Sequence, residues 1–407
     1  MDVNETQIMF LDIIRSSLTG ETTNKAYSDI DTEQLMRLAE IHRILPLVCD
    51  CIYAKGLTEN LEGKVIESYR FKAVKIATRE IVKSHEFIDI LNVFKESGLE
   101  PTVVKGIVCR NMYPKWMLRP SVDEDLLVNP EEMNRYHDVL IAEGLYLEQK
   151  EEDIASNNEI SYRKENSPIF IEIHPSLFPV ESEAYGHLNK YFQGSAERNT
   201  VINIDGLDIR TLSSTDHLLY LILHVYKHFV HSGFGIRQVC DIMIMSMECG
   251  SEIDWEHIKD VMNDIHATEF LNAIYNIGYK YLGFDAEKAH ISAGFINTAI
   301  DERPLLEDII IGGLYGASVD NRIHSSNMML SAITSRKSRG LLRSLFPSYS
   351  YMSSQFEYVR RFRFMLPFGY VHRIFRYLFG NEAHNINETI EIGNQRVALL
   401  KFYDMIK

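Results

Sequence analysis

The chain has 407 residues, 45% hydrophobic and 24% charged, a globular composition with enough apolar material for two or three packed units. Its formal net charge of −15 argues against gripping long nucleic acid by the backbone, which needs a basic surface, so duplex DNA is not an expected partner. No apolar run reaches the roughly 18 residues of a membrane span, and the acidic, amphipathic opening MDVNETQIMFLDIIRSSL does not read as a signal peptide, so a cytoplasmic protein is expected.

Residues 1–97 read as a helical domain. Ile8, Leu11, Ile14 and Leu18 form a helical stripe ended by Gly20. Thr32 to Tyr53 suggests a second helix kinked or broken at Pro46, and Leu61 to Phe94 forms one long helix or two. Cys49 and Cys51 stand too close for a zinc site, and all five cysteines are read as reduced thiols outside any metal or disulfide framework.

An α/β core is expected over residues 98–211. Pro101–Lys105 predicts a strand, Ile107–Tyr113 a short helix and Val122–Val128 a second strand. Pro130 opens a helix over Glu131–Ala142. Tyr146–Glu148 and Ile160–Lys164 read as short edge strands, and Ile169–His174 as a buried one with Phe170, Glu172 and His174 on one side. Asp205-Gly206 makes a hairpin between Val201–Ile204 and Leu207–Ile209.

Ser214 or Thr215 then caps a helix, opening a helical domain over residues 212–319. Residues 320–407 combine a polar loop, Asp320–Gly340, with basic, aromatic helices near the end. In those helices Arg360, Arg361, Arg363, Arg373 and Arg376 alternate with aromatics. An anionic membrane surface is one reading; an amphipathic helix pair, broken at Pro367 and packing its rings on the body, is preferred.

The chemistry concentrates in Val103–Val128. Asp123 and Asp125 are two apart on a strand, so both carboxylates project from one face and need a cation between them. Glu172, between Ile171 and Ile173, is the natural third ligand, because a carboxylate inside a buried strand is costly unless it binds something. Three such acids can hold two magnesium ions about 4 Å apart, with Glu172 also placed to act as general base. Lys105-Gly106 ends a strand at a helix N-terminus, where backbone N–H groups receive phosphate, and Arg119 offers a fork for the β- and γ-phosphates. His174 is read as positioning Glu172 or touching the nucleotide, or else as a structural histidine. His224 and His228 share a helix face; without a third ligand they are read as lining the interface between helix and sheet, with Asp241.

Lys105-Gly106, Tyr113-Pro114, Leu118-Arg119-Pro120, Asp123, Asp125–Val128, Ile171–His174, His224, His228 and Asp241 together resemble the polymerase-beta nucleotidyltransferase superfamily. More narrowly, they resemble its uncharacterised bacterial nucleotidyltransferase family, related to aminoglycoside-type enzymes. The FPSYSYM and LPFGYVHRIFRYL segments are similar to that family's C-terminal region. The resemblance implies an α+β, mostly helical fold: a small mixed nucleotidyltransferase sheet flanked by N-terminal and C-terminal helical domains. It implies NMP transfer from an NTP, ATP being the expected donor, to a hydroxyl of a small-molecule or protein acceptor, with Mg2+ and pyrophosphate release. Asp123, Asp125 and Glu172 are the implied catalytic and metal residues, and Lys105, Gly106, Arg119 and His174 the nucleotide contacts. Two departures stand out: Ile107 follows Gly106 where Gly or Ser is usual, and Glu124 separates the aspartates where an apolar residue is usual. They motivate an alternative, a non-catalytic nucleotide sensor or scaffold. Glu124 is expected to point to the other face of the sheet, against a fully buried strand.

Overall fold

The computed structural model describes residues 4–21, 27, 30–58, 61–148, 159–182, 184–231, 233–312, 328–330, 332–333, 349, 352, 356–379 and 386–406. The polar loop expected over Asp320–Gly340 falls largely outside the described residues, as does most of FPSYSYM.

Four helices open the chain: α1 (Glu5–Thr19), α2 (Thr32–Ile41), α3 (Leu45–Ala54) and α4 (Gly63–Glu96). Asn4 caps α1 with a reciprocal Gln7 contact, and Gly20 ends it at φ 76°. The helix expected from Thr32 to Tyr53 is two. Pro46 lies in the first turn of α3, where its missing N–H costs nothing. The stretch from Leu61 is one 34-residue helix, α4.

The sheet follows: β1 (Thr102–Val104), α5 (Gly106–Asn111), β2 (Glu124–Leu127), α6 (Met133–Ala142), β3 (Leu145–Leu147), β4 (Ile160–Lys164), β5 (Phe170–His174), α7 (Ser195–Arg198), β6 (Thr200–Ile204) and β7 (Leu207–Thr211). Its seven strands run β3-β4-β5-β2-β1-β7-β6. β2 and β5 are parallel, as are β1 and β7; the other pairings are antiparallel. β4 is therefore not the edge strand its sequence suggested, because β3 pairs along its outer side. The β6–β7 hairpin turns on Asp205 and Gly206, both at positive φ (50° and 85°).

Helices α8 (Ser214–His231), α9 (Ile236–Cys249), α10 (Trp255–Asp264), α11 (Thr268–Ile277) and α12 (Arg303–Gly312) follow, then α13 (Glu357–Arg361), α14 (Leu366–Phe379) and α15 (Ile386–Phe402). Ser213, one residue before the expected caps, holds the start of α8: its Oγ accepts from the Asp216 N–H at 3.2 Å. The break between α13 and α14 falls at Phe362–Met365, with Pro367 inside the first turn of α14. Phe362, Phe364 and Phe368 are 48, 74 and 63% exposed, so these rings do not pack on the body as expected; Phe356 and Val359 are buried, in a small cluster with Met352 within the C-terminal segment.

Two large apolar cores result, beside the small C-terminal cluster around Met352. Phe87, Ile90, Leu91 and Phe94 of α4, with Tyr136 and Leu140 of α6, pack beneath one face of the sheet. The larger core joins α1–α3 to α8–α12. α4 enters both, through Tyr69 and Ala73 at one end and Phe87–Phe94 at the other. Among the described residues no helix is long and apolar enough to cross a membrane.

Candidate active site

A cleft of about 250 Å³ lies between the free face of the sheet and the α8–α9 pair. Lys105, Asp123, Asp125, Glu172 and His174 form the sheet wall; Tyr220, His224, Lys227, His228 and Arg237 form the helical wall.

The sheet register creates the acidic centre. β2 and β5 run parallel with Asp125 beside Glu172, so their carboxylates emerge from one face. His174, two residues on, shares that face. Its Nε2 lies 3.0 Å from Asp125 Oδ1 and 3.7 Å from Glu172 Oε2. One donor atom from each of Asp125, Glu172 and His174 falls within 4.8 Å of the others. An octahedral ion with bonds of about 2.1 Å places adjacent ligands about 3.0 Å apart and opposite ones about 4.2 Å apart, so these donors fit a small divalent cation. Asp123 lines the same cleft but stands outside β2, before the ladder begins, and is not part of this tight set. Of the three acids expected from sequence to share an ion, Asp125 and Glu172 fall in this set together with His174, and Asp123 lies alongside.

Electrostatics separate the acids. Burial, then Asp123 and Asp125, push Glu172 up to about 9. Burial and Asp125 likewise raise Asp123. Burial would also raise Asp125, but the Lys105 ammonium and the His174 hydrogen bond outweigh it and hold that carboxyl well below the usual range.

Lys105 is held on both backbone and side chain. Its φ is 53°, uncommon for a side chain of this kind. The Lys105 N–H donates to His217 Nε2 at 3.1 Å, which makes Nδ1 the protonated nitrogen of a neutral ring. Nδ1 lies 3.4 Å from Thr211 Oγ1, which in turn donates to Val103 O at 2.7 Å. Burial and the Lys105 charge push His217 down to about 4, consistent with that tautomer. The Lys105 Nζ sits 3.1 Å from Asp125 Oδ2 and 3.2 Å from His224 Nε2. Burial opposes its charge, but Asp125 together with Tyr220 and Asp123 outweighs it and raises its pKa well above the ordinary lysine value.

Glu124 corrects one expectation. It points to the opposite face, as its alternation requires, yet it is fully buried. Its Oε1 forms an ion pair with Arg110 Nη2 at 2.7 Å and faces Lys83 Nζ at 3.5 Å; Glu80 joins both cations at 3.0 Å. Two acids and two bases cancel, so β2 is buried on both faces despite its central Glu. The Oε2 of Glu124 accepts from the Ile107 N–H at 2.8 Å. This start of α5, expected to cradle phosphate, is occupied by the protein's own carboxylate. A Cβ on Gly106 would lie 2.2 Å from that oxygen, so the glycine is required by Glu124. Ile107 departs from the Gly/Ser pattern because its side chain fills the core beneath the sheet.

The loop before Asp123 is clamped from three sides. Arg119 is buried with Nε and Nη2 on both oxygens of Asp241, at 3.0 and 2.6 Å, and Tyr113 donates to the same carboxylate at 2.8 Å. Arg237 donates to Pro120 O, and Lys83 to Ser121 O at 2.7 Å. Among the described residues the Nη1 of Arg119 has no partner, and Arg119 lines the cleft. His224 and His228 do lie between helix and sheet, with their Nε2 atoms 3.3 Å apart. His217, Tyr220 and Lys227 were missed, although 217, 224 and 228 share one face of α8 and repeat at helical spacing.

The family described as uncharacterised nucleotidyltransferase matches residues 28–279, well over half of the chain. The match begins in the N-terminal helices, upstream of the motifs at Val103–Val128, and stops before the C-terminal segments FPSYSYM and LPFGYVHRIFRYL. No curated protein and no solved structure matches.

Proposed function

The chain belongs to this nucleotidyltransferase family, and from that premise we propose that its cleft transfers an NMP from an NTP to an acceptor hydroxyl, with release of pyrophosphate. The observation that carries this is the convergence of Asp125, Glu172 and His174 beside Lys105 and the unpartnered Nη1 of Arg119. A divalent cation held there supplies charge neutralisation at the phosphates and acidifies the attacking hydroxyl. His174 as a donor widens the choice from Mg2+ to Mn2+, since imidazole suits the transition ions better.

The chain's own groups divide the work. Glu172, whose carboxyl burial and the neighbouring acids push up to about 9, would serve as ligand to a bound cation and as proton acceptor for the attacking hydroxyl. Arg119, fixed by Asp241, offers Nη1 to a phosphate oxygen while keeping its two-point ion pair. Lys227 and Arg237 add positive charge on the helical wall. The acceptor is a small molecule or a protein side chain, matching the acidic net charge.

A second reading, a nucleotide sensor without turnover, draws on the Ile107 N–H being satisfied by Glu124. Pyrophosphate release from each of the four NTPs, with Mg2+ or Mn2+ and cell extract as acceptor source, separates the two. Release abolished by Asp125→Asn supports transfer; NTP binding without release by the wild type supports the sensor.

A further inference from the structure

We propose that the Lys105 ammonium takes the place of a second divalent cation, so that this chain holds one metal ion where the three acids read from its sequence could hold two. The inference rests on the metal-dependent reading above and adds the stoichiometry of the site.

In a two-ion centre the ions stand about 3.5–4 Å apart and share a bridging carboxylate. Asp125 is the residue placed to bridge. Its Oδ1 faces His174 Nε2 at 3.0 Å, within the donor set that also includes Glu172. Its Oδ2, which would reach the second ion, faces Lys105 Nζ at 3.1 Å. That ammonium is anchored rather than adventitious. His224 Nε2 lies 3.2 Å from Nζ, the Tyr220 ring centroid lies 5.5 Å from it, and His217 fixes the backbone from which it springs. Charge points the same way: the ammonium already supplies a positive charge at the one Asp125 oxygen that a second ion would need.

Mn2+ alone is the probe, with equilibrium dialysis for the count and electron paramagnetic resonance for the spacing. Wild type should bind one Mn2+ per chain, with the spectrum of an isolated ion. Lys105→Met should bind two, with the broadened spectrum of a spin-coupled pair, and Lys105→Arg, which keeps the charge, should stay at one. Two coupled ions in wild type, or one ion in a folded Lys105→Met, overturn the inference and leave the metal-dependent reading standing. No bound ion in wild type overturns both. The wild-type count decides even if Lys105→Met does not fold.

Discussion

Arg119 and Asp241 form a two-point ion pair across 122 positions of sequence, with both side chains buried. It ties the loop before Asp123 to α9 and thereby sets the width of the cleft. Removing the acid strands a buried guanidinium, so Asp241→Ala should cost about 3–5 kcal/mol. Asp50→Ala, which breaks the half-exposed pair with Lys115, should cost less than about 1 kcal/mol. Urea unfolding of both variants checks the contrast.

Gly106 and Glu124 make a second, steric dependence. A methyl group at 106 collides with Glu124 Oε2 and displaces it from the Ile107 N–H. Gly106→Ala should destabilise by about 2 kcal/mol, a typical cost of local strain. Arg110→Ala, which leaves Glu80 and Glu124 with Lys83 alone, should lose about 3–5 kcal/mol. Melting temperatures that match wild type in either variant would count against the buried quartet as an organiser of β2.

Acid should destabilise the fold through histidines buried neutral. Burial lowers His42 to about 4, and burial with the Lys105 charge lowers His217 to about 4. Because these folded-state values lie below the unfolded 6.5, the unfolded chain takes up protons first as pH falls. Stability is then full above pH 6.5 and declines towards pH 4, by at most about 3 kcal/mol per histidine. His42→Gln should flatten this decline measurably; parallel pH profiles for wild type and variant would refute it.

Glu172→Gln should lower pyrophosphate release by about 100-fold or more, the usual contribution of a general base or metal ligand. Its melting temperature without metal at pH 7 should stay near wild type, because the wild-type carboxyl is already protonated there. A large loss of stability instead would mark Glu172 as structural.

The local pattern was legible where the physics is local. Helical stripes, the Asp205-Gly206 turn and the alternation in Ile169–His174 follow from periodicity and backbone preference, and they placed Asp125, Glu172 and His174 on strand faces. The position of β4 inside the sheet was not legible: Tyr146–Glu148 and Ile160–Lys164 both read as edge strands, and only the pairing of β4 with β3 and β5 decides which of them is the edge.

Sequence by itself therefore determined which chemistry-bearing residues exist and, for most, on which elements they ride: Lys105-Gly106 at a strand end, Asp125 on β2, and Glu172 with His174 on β5, whereas Asp123 falls just before its strand. Tertiary structure alone decided their partners. It paired Asp125 with Lys105 and His174, sent Glu124 to Arg110 and Lys83, and turned Arg119 onto Asp241. Those choices depend on contacts between residues up to 122 positions apart. Buried charges settle on whichever opposite charge the packing of α4, α8 and α9 delivers, and no local propensity encodes that delivery.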